Sequence, residues 1–184
     1  MTEIACPSDC VYLTAARDHP AAATLRQQQQ DYTVFVKALA DFNRRQAQLF
    51  LAINTVISRY EPPELQAVVD DDVIEAAAAL AATYETASRG VIYEHRAATL
   101  SAERLGVAIR AMLAEVAGAG GSAFERDVAV VLRRIEQTAR TAHASSGGPR
   151  AYFKLLDRVL SPRDDAPGAV PSDPGKGAPR LILP

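Results

Sequence analysis

From Asp31 onward Tyr32, Phe35, Leu39, Phe42, Gln46, Leu49, Ile53, Val56 and Tyr60 recur at alternating spacings of about three and four. That spacing lays them on one seam of a helix. Pro20 suits a first helical turn and Pro62-Pro63 stop a helix, so the pattern predicts the longest helix of the chain between them. Uninterrupted, it would span ~60 Å at 1.5 Å per residue, longer than a compact domain of this size, so a kink or a protruding end is expected. Gln46 is the one strongly polar member of the seam, where such a residue fixes register or oligomeric state.

A second helix is announced by Asp70-Asp71-Asp72, acids that suit the positive end of a helix dipole, with Asp72 and Glu75 at capping-box separation. Its inward stripe is read as Ile74, Ala77, Ala81, Tyr84, Ser88, Val91 and His95, with Gly90 weakening the helix without ending it. Ser101 is read as the cap of a third helix with Leu105, Ile109, Met112 and Val116 inward and Gly118 at its end. Ser122-Ala123-Phe124-Glu125 has the form of a capping box opening a fourth, on which Phe124, Val128, Val131 and Ile135 face inward. Ser145-Ser146-Gly147-Gly148 breaks the chain again, and Pro149 opens a short last helix with Tyr152, Phe153, Leu156 and Val159 on its apolar side. No segment alternates in the manner of a strand between hairpin turns. The fold class is all-α: an antiparallel helical bundle of four principal helices with short terminal helices.

After Leu160 prolines and glycines recur through to Pro184, and too few large apolar residues remain to offset the entropy of ordering. The organisation read from the chain is a cysteine-bearing segment over 1–19, a bundle domain over 20–160 and a disordered Pro/Gly-rich tail over 161–184. Leu181-Ile182-Leu183 is the tail's one greasy patch, and a frayed end is its simplest reading.

Composition changes this picture little. The chain has 184 residues, 48% hydrophobic and 23% charged, as a single globular domain has. A formal net charge of −2 gives no global field to gather nucleic acid. No apolar run approaches a membrane span and the first residues lack a signal pattern, so the expected compartment is cytoplasmic, with no membrane partner.

Candidate chemistry begins with Cys6-Pro7-Ser8-Asp9-Cys10. With Ser8 capping a short helix through Arg17, the dipole would favour thiolates at Cys6 and Cys10, and the spacing suits a zinc ligand pair. Two thiolates need two further ligands, for which His19 and His95 are the candidates. Idle thiols, a zinc site and a dithiol redox switch all fit, the first most simply. His95 is read as a core-edge imidazole in preference to a ligand or base, and Glu94 beside it lies about 100° around the helix, so the two cannot chelate from one face. Gly118 to Ser122 lacks the preceding strand and following lysine of a phosphate loop and reads as a linker. Arg126, Arg133 and Arg140, with Arg134, form a stripe interleaved with Glu125, Asp127 and Glu136, which reads as a solvated face before an anion-binding one. No nucleophile elbow is present. The function this supports is a non-enzymatic helical bundle that binds another protein or itself as a homo-oligomer; the alternative is a zinc-binding or thiol-responsive regulatory domain built on Cys6 and Cys10.

Overall fold

The computed structural model describes residues 11–63, 66–118, 121–146 and 148–160, with side chains from Leu25 onward save that of Ser146. Cys6, Cys10 and the segment 161–184 read above as a tail lie outside them. The described residues form six helices and no strand: α1 (Val11–Leu39), α2 (Arg44–Arg59), α3 (Asp70–Ala87), α4 (Leu100–Ala117), α5 (Gly121–Ser146) and α6 (Ala151–Leu160). α1 runs through Arg17 and past Pro20 without a break, so the short helix expected to end near Arg17 is the first part of a longer one.

The expected longest helix is two helices. Ala40 and Phe42 donate to carbonyls three residues back, a tightening of the last turn, and Asn43 then takes extended φ/ψ and caps α2. The cap is reciprocal: the Asn43 side chain accepts from the Gln46 N–H at 2.9 Å, and the Gln46 side chain accepts from the Asn43 N–H at 3.2 Å. The apolar spacing continues across the break because Phe42 still packs on the core, its ring 5.6 Å from that of Phe50, which in turn lies 5.3 Å from that of Phe35. Tyr32 is the exception in the seam and is exposed.

α5 is the central element. It packs on α3, α2, α6 and α1, and buries Phe124, Val128, Val131, Leu132 and Ile135 among them. α5 has already begun at Gly121, so Ser122 lies within its first turn and not at the cap position predicted for it. α3 presents Val73, Ala76, Ala77, Leu80 and Ala81 to the core, one residue round from the predicted Ile74 and Tyr84, which are partly buried. α4 buries Leu105, Ile109 and Leu113 against α3 and α2, with Met112 at the margin and Val116 exposed. Gly106 faces α3, and a Cβ there would make only an ordinary contact with Leu80 at 3.9 Å.

Thr99, not Ser101, caps α4, its hydroxyl accepting from the Ala102 N–H at 3.3 Å. That hydroxyl also donates towards Glu75, 2.9 Å away, and Glu75 accepts from the backbone N–H of Ala98 and Thr99. Asp72 accepts from the Val69 N–H at 3.0 Å, so Asp72 is the third residue of α3 and not its cap. No described helix is long and apolar enough to cross a membrane.

Candidate functional site

His95 does not lie on a helix. α3 ends at Ala87, and Ser88, Arg89 and Gly90 donate in turn to the carbonyls of Tyr84, Thr86 and Ala87. Gly90 has φ 80, the left-handed conformation that glycine takes without a side-chain clash. Residues 91–97 follow with no regular structure, held by side chains of α3 and α4. Thr83 accepts from the His95 N–H at 2.8 Å, Thr86 reaches the Tyr93 carbonyl, and Arg110 binds Glu94 and Glu103. The His95 ring meets Tyr93 edge-on at 4.7 Å, and its Nδ1 is enclosed without a hydrogen-bond partner.

That anchoring leaves Val91, Ile92 and Tyr93 turned outward, with 54, 102 and 60% of their surface exposed. Leu100 and Val107, two turns apart on the outward side of α4, are exposed as well. Three consecutive large apolar residues on a pinned segment are unlike the scattered single exposures of an ordinary surface.

Buried polarity is concentrated at the other end of α3. Asp70 is fully buried, and its carboxylate accepts from the Tyr152 N–H at 3.1 Å, while its own N–H donates to the Pro149 carbonyl at 2.8 Å. Asp70 thus caps the first turn of α6 from another helix, its charge near the positive ends of both. His143 Nδ1 stands 3.5 Å from the same carboxylate, within ion-pair reach but outside hydrogen-bond geometry. The Tyr152 hydroxyl donates to Asn54 Oδ1 at 2.5 Å and Asn54 donates to the Phe50 carbonyl at 2.8 Å. Burial pushes the Tyr152 phenol well above its ordinary range, opposed by the Asn54 hydrogen bond and reinforced by the Asp70 charge. With Asn54, Asp70 and Tyr152 turned into the packing between α2, α3 and α6, and His143 of α5 at its edge, the network holds α6 in place.

Of the proposed metal ligands, Cys6 and Cys10 lie outside the described residues, and His19 is placed on α1 without a described side chain. Among the described residues no three of His, Cys, Asp and Glu gather as a metal would require, and this holds for His95. The arginine stripe is largely paired. Arg133 binds Glu85 and Glu136, Arg140 binds Glu136, and Arg134 donates to the Lys37 and Ala38 carbonyls while lying over Phe42. Gln46 also ties α2 to α5, donating to Asp127 at 2.8 Å. Comparison with protein-family models, curated proteins and solved structures returned no match.

Proposed function

We propose that this chain is a non-enzymatic bundle of four principal antiparallel helices, α2 to α5, that acts by contact with another protein, a second copy of itself included. The observation that carries the reading is the outward Val91-Ile92-Tyr93 run, held in place by Thr83, Thr86 and the Arg110–Glu94 pair. A pinned segment has already lost most of its conformational entropy, so covering its apolar side chains is opposed by little further ordering. Leu100 and Val107 are further exposed apolar residues, on α4.

Sedimentation velocity over a wide concentration range tests self-association first. A mass that rises with concentration, and that Ile92→Asp returns to the monomer with an unchanged thermal midpoint, supports contact through this segment. A monomer throughout removes self-association. The same cell-expressed neighbours labelled by wild type and Ile92→Asp in a proximity experiment would remove the separate partner also.

A further inference from the structure

A groove of about 580 Å³ runs between the C-terminal end of α3 and the middle of α5. Glu85, Ser88 and Arg89 line it from α3 and the turn that follows, and Arg126, Arg133 and Arg134 line it from α5. Four arginines therefore line it with one carboxylate, Glu85, while Glu136 and Asp41 pair with Arg133 and Arg134 at its margin, in a chain whose formal net charge is −2. A local excess of one sign against an opposite total is the form an ion-recognition surface takes.

The four arginines are not equivalent. Arg134 is fixed by the carbonyls of Lys37 and Ala38, at 3.2 and 3.0 Å, and by an ion pair with Asp41 at 3.3 Å. Arg133 grips Glu85 through two parallel bonds, Nε to Oε1 at 2.7 Å and Nη2 to Oε2 at 3.0 Å, and its Nη1 binds Glu136 at 3.0 Å. The Arg89 and Arg126 side chains are exposed and make no hydrogen bond or ion pair with any described residue, although the Arg89 charge still acts on Glu85. They stand beside Arg133, which already engages Glu85 and Glu136, and a bound anion relieves the repulsion among the three cations.

We propose that this groove binds a small phosphate-bearing ligand, with Glu85 as an internal counter-anion that the phosphate displaces from Arg133. The two-bond fork on Glu85 is the arrangement a phosphate takes on a guanidinium. A phosphate brings a third oxygen and more charge, and so engages Arg89 and Arg126, which one carboxylate leaves unpaired. The volume suits a ligand with a body beyond the phosphate, within the roughly 300 to 1,000 Å³ of small-molecule sites. The arginines supply charge and a planar fork and no reacting group, so the site recognises and does not transform.

Calorimetric titration with pyrophosphate, in parallel with a phosphoserine peptide, tests this on the full chain at low salt. Pyrophosphate is expected to bind at one site. The Arg89→Ala/Arg126→Ala double variant should weaken it by about tenfold or more, as expected for lost charge-assisted hydrogen bonds. Glu85→Gln should tighten binding by freeing the Arg133 fork. Arg150 is the control: Pro149 meets the N-terminal end of α3, a helix length from the groove, and Arg150→Ala should leave affinity unchanged. All these side chains are surface groups, and equal thermal midpoints would show that the variants fold. The proposal is overturned by no saturable pyrophosphate binding, by a double variant that binds as wild type does, or by Arg150→Ala weakening binding as much as the double variant. Tighter binding of pyrophosphate assigns the phosphate to a free small molecule; tighter binding of the peptide assigns it to a modified protein.

Discussion

Tyr152 shows how one residue couples packing, polarity and pH. Its ring is fully buried, its N–H is capped by Asp70 and its hydroxyl is used by Asn54. Tyr152→Phe keeps the ring and strands Asn54 Oδ1 without its donor in the core, an expected cost of about 1–3 kcal/mol in urea unfolding at neutral pH. The phenol's folded pKa is raised, first by burial, so its contribution is complete below the unfolded value of about 10 and is lost as pH rises above it. Tyr84, also raised first by burial, adds to that alkaline fall. Stability should therefore decline above about pH 10 in wild type and decline less steeply in Tyr152→Phe; parallel curves would show that the Tyr152 phenol does not take part. Little of this was legible beforehand. The spacing placed Tyr152 on the apolar side of its helix and Asp70 at a helix start, but the bond between them joins residues far apart in the chain.

Elements were legible where glycine, serine and proline punctuate a strong apolar stripe, as around α5 and α6. They were misread where apolar spacing runs on across a break. Phe42 stays in register with Phe35 and Leu49 although it sits outside both helices, and the signal for the break was Asn43-Arg44-Arg45-Gln46, a capping pair hidden inside the seam. Asn43→Ala should remove about 1 kcal/mol by deleting that cap, measured by denaturant unfolding. Gly90 likewise ends a turn that apolar spacing alone does not show, and so His95 lies beyond the helix its stripe predicts. The two glycines near α3 should respond oppositely to alanine. A Cβ at Gly90 meets nothing within 4 Å, so Gly90→Ala tests the positive φ alone and should cost roughly 1–2 kcal/mol. At Gly106 the Cβ would make an ordinary contact with Leu80 in a helix interior, and Gly106→Ala should stabilise by about 0.5–1 kcal/mol. Destabilisation there would mean that α3 and α4 must approach more closely than an alanine permits.

At the scale of the whole molecule the helices differ in how much holds them. α5 is packed by α1, α2, α3 and α6, and Val128, Val131, Leu132 and Ile135 are wholly enclosed. α4 packs chiefly on α3 and α2, and its outward side carries Leu100, Val107 and Val116 exposed. Its attachment is Leu105, Ile109 and Leu113 below, together with the Thr99–Glu75 and Arg110–Glu94 contacts at its flank. Those contacts bind segment 91–99 and α4 into one unit, since the same side chains serve both. Local opening follows the number of apolar residues that must be exposed, so this unit should open at a lower free energy than α5. Hydrogen exchange at neutral pH should show the amides of α4 and of His95 exchanging together and earlier than those of residues 128–139. Glu75→Gln, which weakens the tie to the start of α4, should speed α4 and leave α5 unchanged. If α4 and α5 exchange at one common rate, opening is global, and the exposed apolar residues Val91, Ile92, Leu100 and Val107 are carried on structure as rigid as the core. If they separate as expected, these residues belong to a part of the molecule that opens more readily than α5, and a partner that covers them should slow exchange in α4 before it slows exchange in α5.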